Sequence, residues 1–423
     1  MFATLAPKRV PLVGDLWPFL HDRLAFFEAC ARSGPAVQVR LGPRRALVLS
    51  DPDLVREVFV HEANHFVRGI TGAPLRSLLG EGLLLSEGDV WRRQRRDLSP
   101  LFGRDRAATW IPSIESAAAA LVSRWRDGDR RDVHYEMHRL TLDVAARLFL
   151  GIGSGDDGRL HPALEAILDR EVLRGTIRLG PLRWPIRSSA ATRALDDLVD
   201  RQIANAGSSV YSPFIGTIAG TARDRRELRD QLVTLIFTAQ DTTAVALSWF
   251  WHLLSRNERV ERELRTEIER PVLPGNQPHP YLSAVLNETL RLFPPVIAQG
   301  RESTRGCDIG GVPVRRGDLV MFSQWVIHRD PRWFEHPEVF LPERWRDGLQ
   351  ERLHPFAYFP FGGGRRICVG RELALAVAGT VVPIIARRFR LLAIPGPEPR
   401  IWAVITPRPR DGLPMQLVRL QPS

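Results

Sequence analysis

The stretch Phe361–Gly370, FGGGRRICVG, sets four glycines and two arginines around one cysteine. A glycine-rich loop feeding a helix presents free backbone N–H groups to negative charge, so a cradled phosphate is the first reading to test. It fails on detail. A P-loop closes with Gly-Lys-Ser/Thr and a dinucleotide site needs Gly-x-Gly-x-x-Gly between a strand and a helix, whereas this loop closes with Cys368, Val369 and Gly370. The next residues, RELALAVAGTVVPIIARRF, carry Leu373, Ala376, Val377, Val381 and Ile384 at helical spacing, so Cys368 sits just ahead of a helix N-terminus. The anion to be held is then the sulfur itself. Helix-end N–H groups, with Arg365 and Arg366 nearby, favour thiolate over thiol, the environment of a metal-binding or reactive cysteine. The glycines also let a bulky flat ligand approach the backbone.

Composition narrows the field. A chain of 423 residues with 44% hydrophobic content can bury a large core. The first twenty residues, MFATLAPKRVPLVGDLWPFL, hold prolines and charge but no apolar run long enough for a signal peptide or membrane anchor, so the expectation is a cytoplasmic protein. Cys30, Cys307 and Cys368 are too few and too scattered for a disulfide framework. The net charge of +11 raises the question of nucleic acid, but Lys8 is the only lysine and the arginines are spread along the chain. That pattern reads as codon bias rather than a polyanion site, and no nucleic-acid partner is expected. A zinc site needs three further ligands at usable spacing from Cys368, and none is present.

Helical patterns dominate, at 163–173, 194–206 and a long segment from about Arg225 to Arg256. Short strand-like pieces cluster at 36–50, 309–322 and 412–420. The expected fold class is mainly α with a minor β region of small antiparallel sheets, organised as a single domain over 1–423. Within the long segment, residues 232–254 are apolar nearly all round, the mark of a helix through the centre. Gln240, Asp241, Thr242 and Thr243 interrupt it. Either their side chains bond within the protein, the threonines back to the preceding turn, or a ligand lies beside the helix. In NETLRLFPP (287–295), Glu288 and Arg291 share one helix face, stopped by Pro294 and Pro295. About fifty residues on, FLPERW (340–345) supplies Arg344.

These residues together resemble the cytochrome P-450 superfamily of heme-thiolate monooxygenases, soluble bacterial type, across essentially the whole chain. The cysteine loop matches the heme signature Phe-x-x-Gly-x-Arg-x-Cys-x-Gly at Phe361, Gly364, Arg366, Cys368 and Gly370. The resemblance implies heme b as cofactor, with Cys368 as the axial metal ligand and Arg366 on a heme propionate. It implies cofactor-binding roles for Phe361, for Trp91 and Arg95 in WRRQRR, and for Arg301. It makes Glu288, Arg291 and Arg344 a structural triad, and Asp241 and Thr242 the catalytic acid-alcohol pair that handles protons. One departure stands out: the family commonly has Gly at the place of Ala239, and alanine makes a local opening of the helix harder. Pro383, inside the helix after the cysteine, predicts a kink.

The expected activity is oxidation of a compact, mainly apolar molecule, a terpenoid or other secondary metabolite. Dioxygen and two electrons from a separate ferredoxin and ferredoxin reductase complete the reaction, with no fused reductase domain and a monomeric chain. Oxidative ring closure or coupling on the same fold, and a non-catalytic heme protein, are the alternatives. The resemblance puts the pocket walls at 68–82, 172–186, 234–242, 295–299 and 402–406.

Overall fold

In the computed structural model the described residues are 14–151, 193, 196–197, 199–201, 213–270, 279–403 and 406–421. The expected helix at 163–173 and the pocket wall at 172–186 lie outside them, and the helix at 194–206 falls within them only at scattered positions.

The long apolar segment forms a 31-residue helix, Arg225–Ser255, about 46 Å long at 1.5 Å per residue. Asp224 starts it, its carboxylate accepting the Glu227 N–H at 2.8 Å. Nearly every side chain from Gln231 to Leu254 is buried, as an all-round apolar pattern requires. Its most extensive packing is against the helix Val133–Leu150, which is capped by Asp132 and ends at Gly151 with φ of 73°. The helix after the cysteine loop, Arg371–Ala386, packs on Ala107–Val122 and on the central helix. Pro383 falls in its last turn, where the α-helix carries on through it to Ala386.

The β region is minor, as the alternating segments predict. Strands β1 (Ala36–Leu41), β2 (Arg44–Leu49), β3 (Phe66–Val67), β4 (Arg130–Asp132), β5 (Gln299–Ser303), β6 (Cys307–Ile309), β7 (Val312–Val314), β8 (Leu319–Phe322), β9 (Phe389–Ala393), β10 (Ile401–Ala403), β11 (Pro407–Pro409) and β12 (Pro414–Arg419) follow in chain order. The largest sheet runs β1-β2-β8-β5-β3, with β2 and β8 parallel and the other pairs antiparallel. Three smaller groups, β4-β12-β9, β6-β7 and β10-β11, complete the set. Among the described residues no helix is long and apolar enough to cross a membrane, and all three cysteines are unpaired.

Glu288 and Arg291 hold the connection ahead of the cysteine loop. Both are fully buried in the helix Pro280–Leu292. Arg291 Nε and Nη2 donate to Glu288 Oε2 and Oε1 at 2.9 and 2.8 Å, and its Nη1 and Nη2 donate to the carbonyls of His328, Pro337 and Val339. Arg344 Nε, the Trp345 indole N–H and the Leu341 N–H complete Glu288 at 3.1, 2.8 and 2.9 Å. A buried ion pair is tolerated only when its remaining donors and acceptors are satisfied, and here they are. The triad therefore pins the irregular segment 337–345 onto the helix.

His328, whose carbonyl Arg291 holds, ties the triad to the chain just ahead of the cysteine loop: its Nε2 accepts the Phe359 N–H at 3.0 Å. Burial, reinforced by the charges of Arg291 and Arg329, pushes its pKa down to about 3. The ring is neutral in the folded protein. Once pH falls below about 6.5 the unfolded chain takes up a proton that the folded one refuses, so stability present at neutral pH is lost progressively toward pH 3. The loss from this one group is on the order of a few kcal/mol. Urea midpoints measured from pH 7 to 4.5 should fall with acid, and less steeply in His328→Gln; equal slopes would remove His328 from the account.

Candidate active site

The cysteine loop is closed by its own backbone: Cys368 N–H donates to the Phe361 carbonyl at 2.9 Å, and Gly362 N–H to Phe359 at 2.9 Å. Gly364 has φ of 60°, and a Cβ there would come within 2.4 Å of the Phe59 carbonyl, so only glycine lets the loop lie against that segment. Cys368 follows as the chain turns into Arg371–Ala386, whose N-cap is Gly370.

Cys368 lies deep among protein atoms yet keeps accessible surface. Burial raises the thiol pKa, outweighing the Gly370 N–H and the charges of Arg95 and Arg371, which pull it down. The loop's N–H group and the arginines thus act as expected, toward thiolate, and desolvation by the surrounding protein opposes them. A coordinated metal ion deprotonates such a thiol outright.

Beside the sulfur the structure gathers arginines from four separate segments. Arg95, on the helix Gly88–Leu98, donates from Nη1 to the Ile367 carbonyl at 2.8 Å. Arg366 stacks over Trp91 at 4.6 Å, donates to the Ser86 carbonyl at 2.9 Å and pairs with the Glu87 carboxylate. Arg301, on β5, is 5% exposed; it lies over the Phe59 ring at 5.3 Å and bonds the Gly300 carbonyl at 2.9 Å. Burial and the charges of Arg68 and Arg366 push its pKa down to about 9. Arg68, which the sequence reading missed, has its pKa pushed down to about 10 by burial and by Arg366. Its Nε is buried with no hydrogen-bond partner. Phe361 borders the site, half-buried, with Arg371 5.9 Å over its ring.

Three guanidiniums, Arg68, Arg301 and Arg366, thus act on one another with Glu87 as their shared anionic neighbour. Such an excess of buried positive charge, with an orphaned N–H, fits a ligand carrying more than one carboxylate. One accessible sulfur fits a metal with a single protein ligand, since the described residues hold no group of three or more His, Cys, Asp or Glu that could bind an ion. The donor set suits a dicarboxylate iron porphyrin.

On the central helix Thr238, Ala239 and Thr242 keep accessible surface while their neighbours are buried. Ala239 and Thr238 lie three and four residues before Thr242, so each neighbours it along the helix surface. The helix stays α-helical through Ala239, and Thr242 Oγ1 donates to the Thr238 carbonyl at 2.9 Å. Asp241 turns the other way. Its Oδ1 takes Arg408 Nη2, from β11, at 2.5 Å and lies 3.8 Å from His138 Nε2 on Val133–Leu150. The acid and the alcohol are therefore adjacent in sequence but lie on different faces.

A helical fold with one accessible cysteine ahead of a helix, set beside a buried guanidinium cluster, defines a heme-thiolate class of protein. The family model described as Cytochrome P450 matches residues 5–177 and 219–409. The chain belongs to the cytochrome P-450 family, whose members are heme b monooxygenases that use dioxygen and electrons from partner proteins. It is 31% identical to cyclooctatin synthase of Streptomyces melanosporofaciens, over 99% of this chain and 95% of that protein. It is 31% identical to cyclooctat-9-en-7-ol 5-monooxygenase of the same organism, over 92% and 90%. Pentalenene oxygenase of Streptomyces avermitilis is 27% identical over 96% and 94%. A solved structure of retinoic acid-bound cyanobacterial CYP120A1 superposes with a TM-score of 0.86, at 28% identity, covering 97% of this chain and 98% of that one.

Proposed function

We propose that this protein oxidises a terpenoid or similarly compact apolar molecule, as one heme domain served by a separate ferredoxin and its reductase. The observation that carries the reading is an accessible Cys368 next to a guanidinium cluster, ahead of a helix that packs on the central helix where Thr238, Ala239 and Thr242 stay half-buried. The names of the relatives that act on cyclooctatin precursors and pentalenene support the substrate class. So do Val296 and Ala298, half-buried and uncharged between the central helix's neighbour Pro280–Leu292 and β5.

Bound heme supplies oxygen activation, which a thiolate ligand favours by pushing electron density toward O–O cleavage. The chain's own residues do the rest. Cys368 is the metal ligand; Arg366, Arg301, Arg95 and Trp91, with Phe361 beside them, hold the cofactor, joined by Arg68. Thr242 keeps accessible surface on the central helix, where its hydroxyl would hold a proton in place, with Asp241, turned here to Arg408, as its acid partner in the proposed pair. Arg365, exposed next to Arg366, offers basic surface near the cysteine to an acidic electron carrier.

With a surrogate ferredoxin system, Thr242→Ala should still bind substrate and consume NAD(P)H. It should release hydrogen peroxide in place of product, lowering product per NAD(P)H by ~10² or more, the lower end of the ~10² to 10⁴ that general acid catalysis contributes. An unchanged ratio rejects Thr242 as the proton donor. A panel of apolar ligands, followed by the heme spectral shift on binding, tests the substrate class: shifts confined to compounds other than terpenoids overturn it.

A further inference from the structure

Glu87 is used in a way its position does not require. It stands at the N-cap of the helix Gly88–Leu98, yet its side chain makes no capping bond there. Instead Oε1 accepts the Arg68 backbone N–H at 2.7 Å and Oε2 pairs with the Arg366 guanidinium. Glu87 acts on all three guanidiniums of the cluster, Arg68, Arg301 and Arg366. The carboxylate lies in the segment that also carries Ser86, whose carbonyl takes Arg366, and Trp91, on which Arg366 stacks. Arg366 is thereby held from three sides by one short stretch, 86–91.

We propose that Glu87 is a positioning and potential-setting residue: a built-in carboxylate that fixes Arg366 and holds the reduction potential of the bound heme below the value the arginines alone would set. The inference rests on the assignment of the cluster to the heme carboxylates. Three cations facing the cofactor stabilise the reduced, less positive iron. One fixed anion among them, poorly screened because the group is half-buried, opposes that preference. The field of a fixed charge falls on the iron whatever the substrate, so the effect belongs to the resting protein and needs no turnover to be seen.

The test is spectroelectrochemical titration of heme-loaded wild type, Glu87→Gln and Glu87→Asp. Glu87→Gln should retain heme and the thiolate spectrum while its potential moves positive by about 59 mV, a tenfold change in the reduced-to-oxidised ratio for one electron. Glu87→Asp, which keeps the charge, should stay near wild type. Arg68→Gln removes a cation instead and should move the potential negative, so the sign is checked even where Glu87→Gln fails to fold. Potentials that do not change in either Gln variant, or move opposite to these signs, overturn the proposal. So does loss of heme from a folded Glu87→Gln, which would make Glu87 structural support alone. Failure of wild type to show the thiolate spectrum at all would instead sink the heme assignment on which the proposal stands.

Discussion

Cys368→Ala should abolish the long-wavelength Soret band of the reduced, CO-bound protein completely. No other sulfur can take its place: Cys30 is 1% exposed in the cluster around Phe26 and Phe27, with its thiol pushed up to about 12 by burial and by Asp15, and Cys307 lies on β6 of a peripheral hairpin. The arginine cluster survives the substitution, so residual heme can still bind through its carboxylates and would give a spectrum without the thiolate signature. Monooxygenase activity should fall to background, since the electron push from sulfur is what favours O–O cleavage. The measurement is the reduced CO difference spectrum of purified wild type and mutant at equal heme. Persistence of the band in the mutant would remove Cys368 as the ligand, and with it the proposed site.

Glu288→Ala should yield little or no soluble, heme-loaded protein. Its removal strands Arg291, fully buried, and Arg344, nearly so, and leaves the Trp345 indole N–H and the Leu341 N–H without their acceptor. Breaking a buried pair by deleting one partner costs about 3 to 5 kcal/mol, a large part of a total stability of about 5 to 15 kcal/mol. The comparison that separates folding from chemistry is Glu288→Gln, which preserves shape and some acceptors while removing the charge; it should fall between wild type and alanine in soluble yield and thermal midpoint. A well-folded Glu288→Ala with altered product would show instead that the triad belongs to the chemistry.

Much of this molecule was legible in local pattern. FGGGRRICVG announced a sulfur held ahead of a helix because the glycines, the arginines and the cysteine are all within ten residues. The central helix declared itself by apolarity on every face, and its structure spans Arg225–Ser255 against an expected 225–256. The spacing of Glu288 and Arg291 put them on one helix face, though not how completely they would be buried. The strands at 36–50, 309–322 and 412–420 also fell where alternation placed them, at β1 and β2, at β7 and β8, and at β12.

What the sequence by itself determined are the interactions whose partners lie within a turn or two of each other: the loop, the helix that follows it, the Glu288–Arg291 pair, and the order of Asp241 and Thr242. Only the tertiary structure decided which way those groups face and how strongly water is withdrawn from them. Successive residues of a helix point about 100° apart, so Asp241, next to Thr242 in the chain, turns to Arg408 and His138, each more than a hundred residues away. Arg68 and Glu87 join the arginine cluster only because β3, β5 and the cysteine loop fold together, and neither carries a local signal. The thiol of Cys368 shows the same division. Its favourable N–H groups and arginines can be read from ten residues, but the desolvation that outweighs them is a property of everything packed around the sulfur.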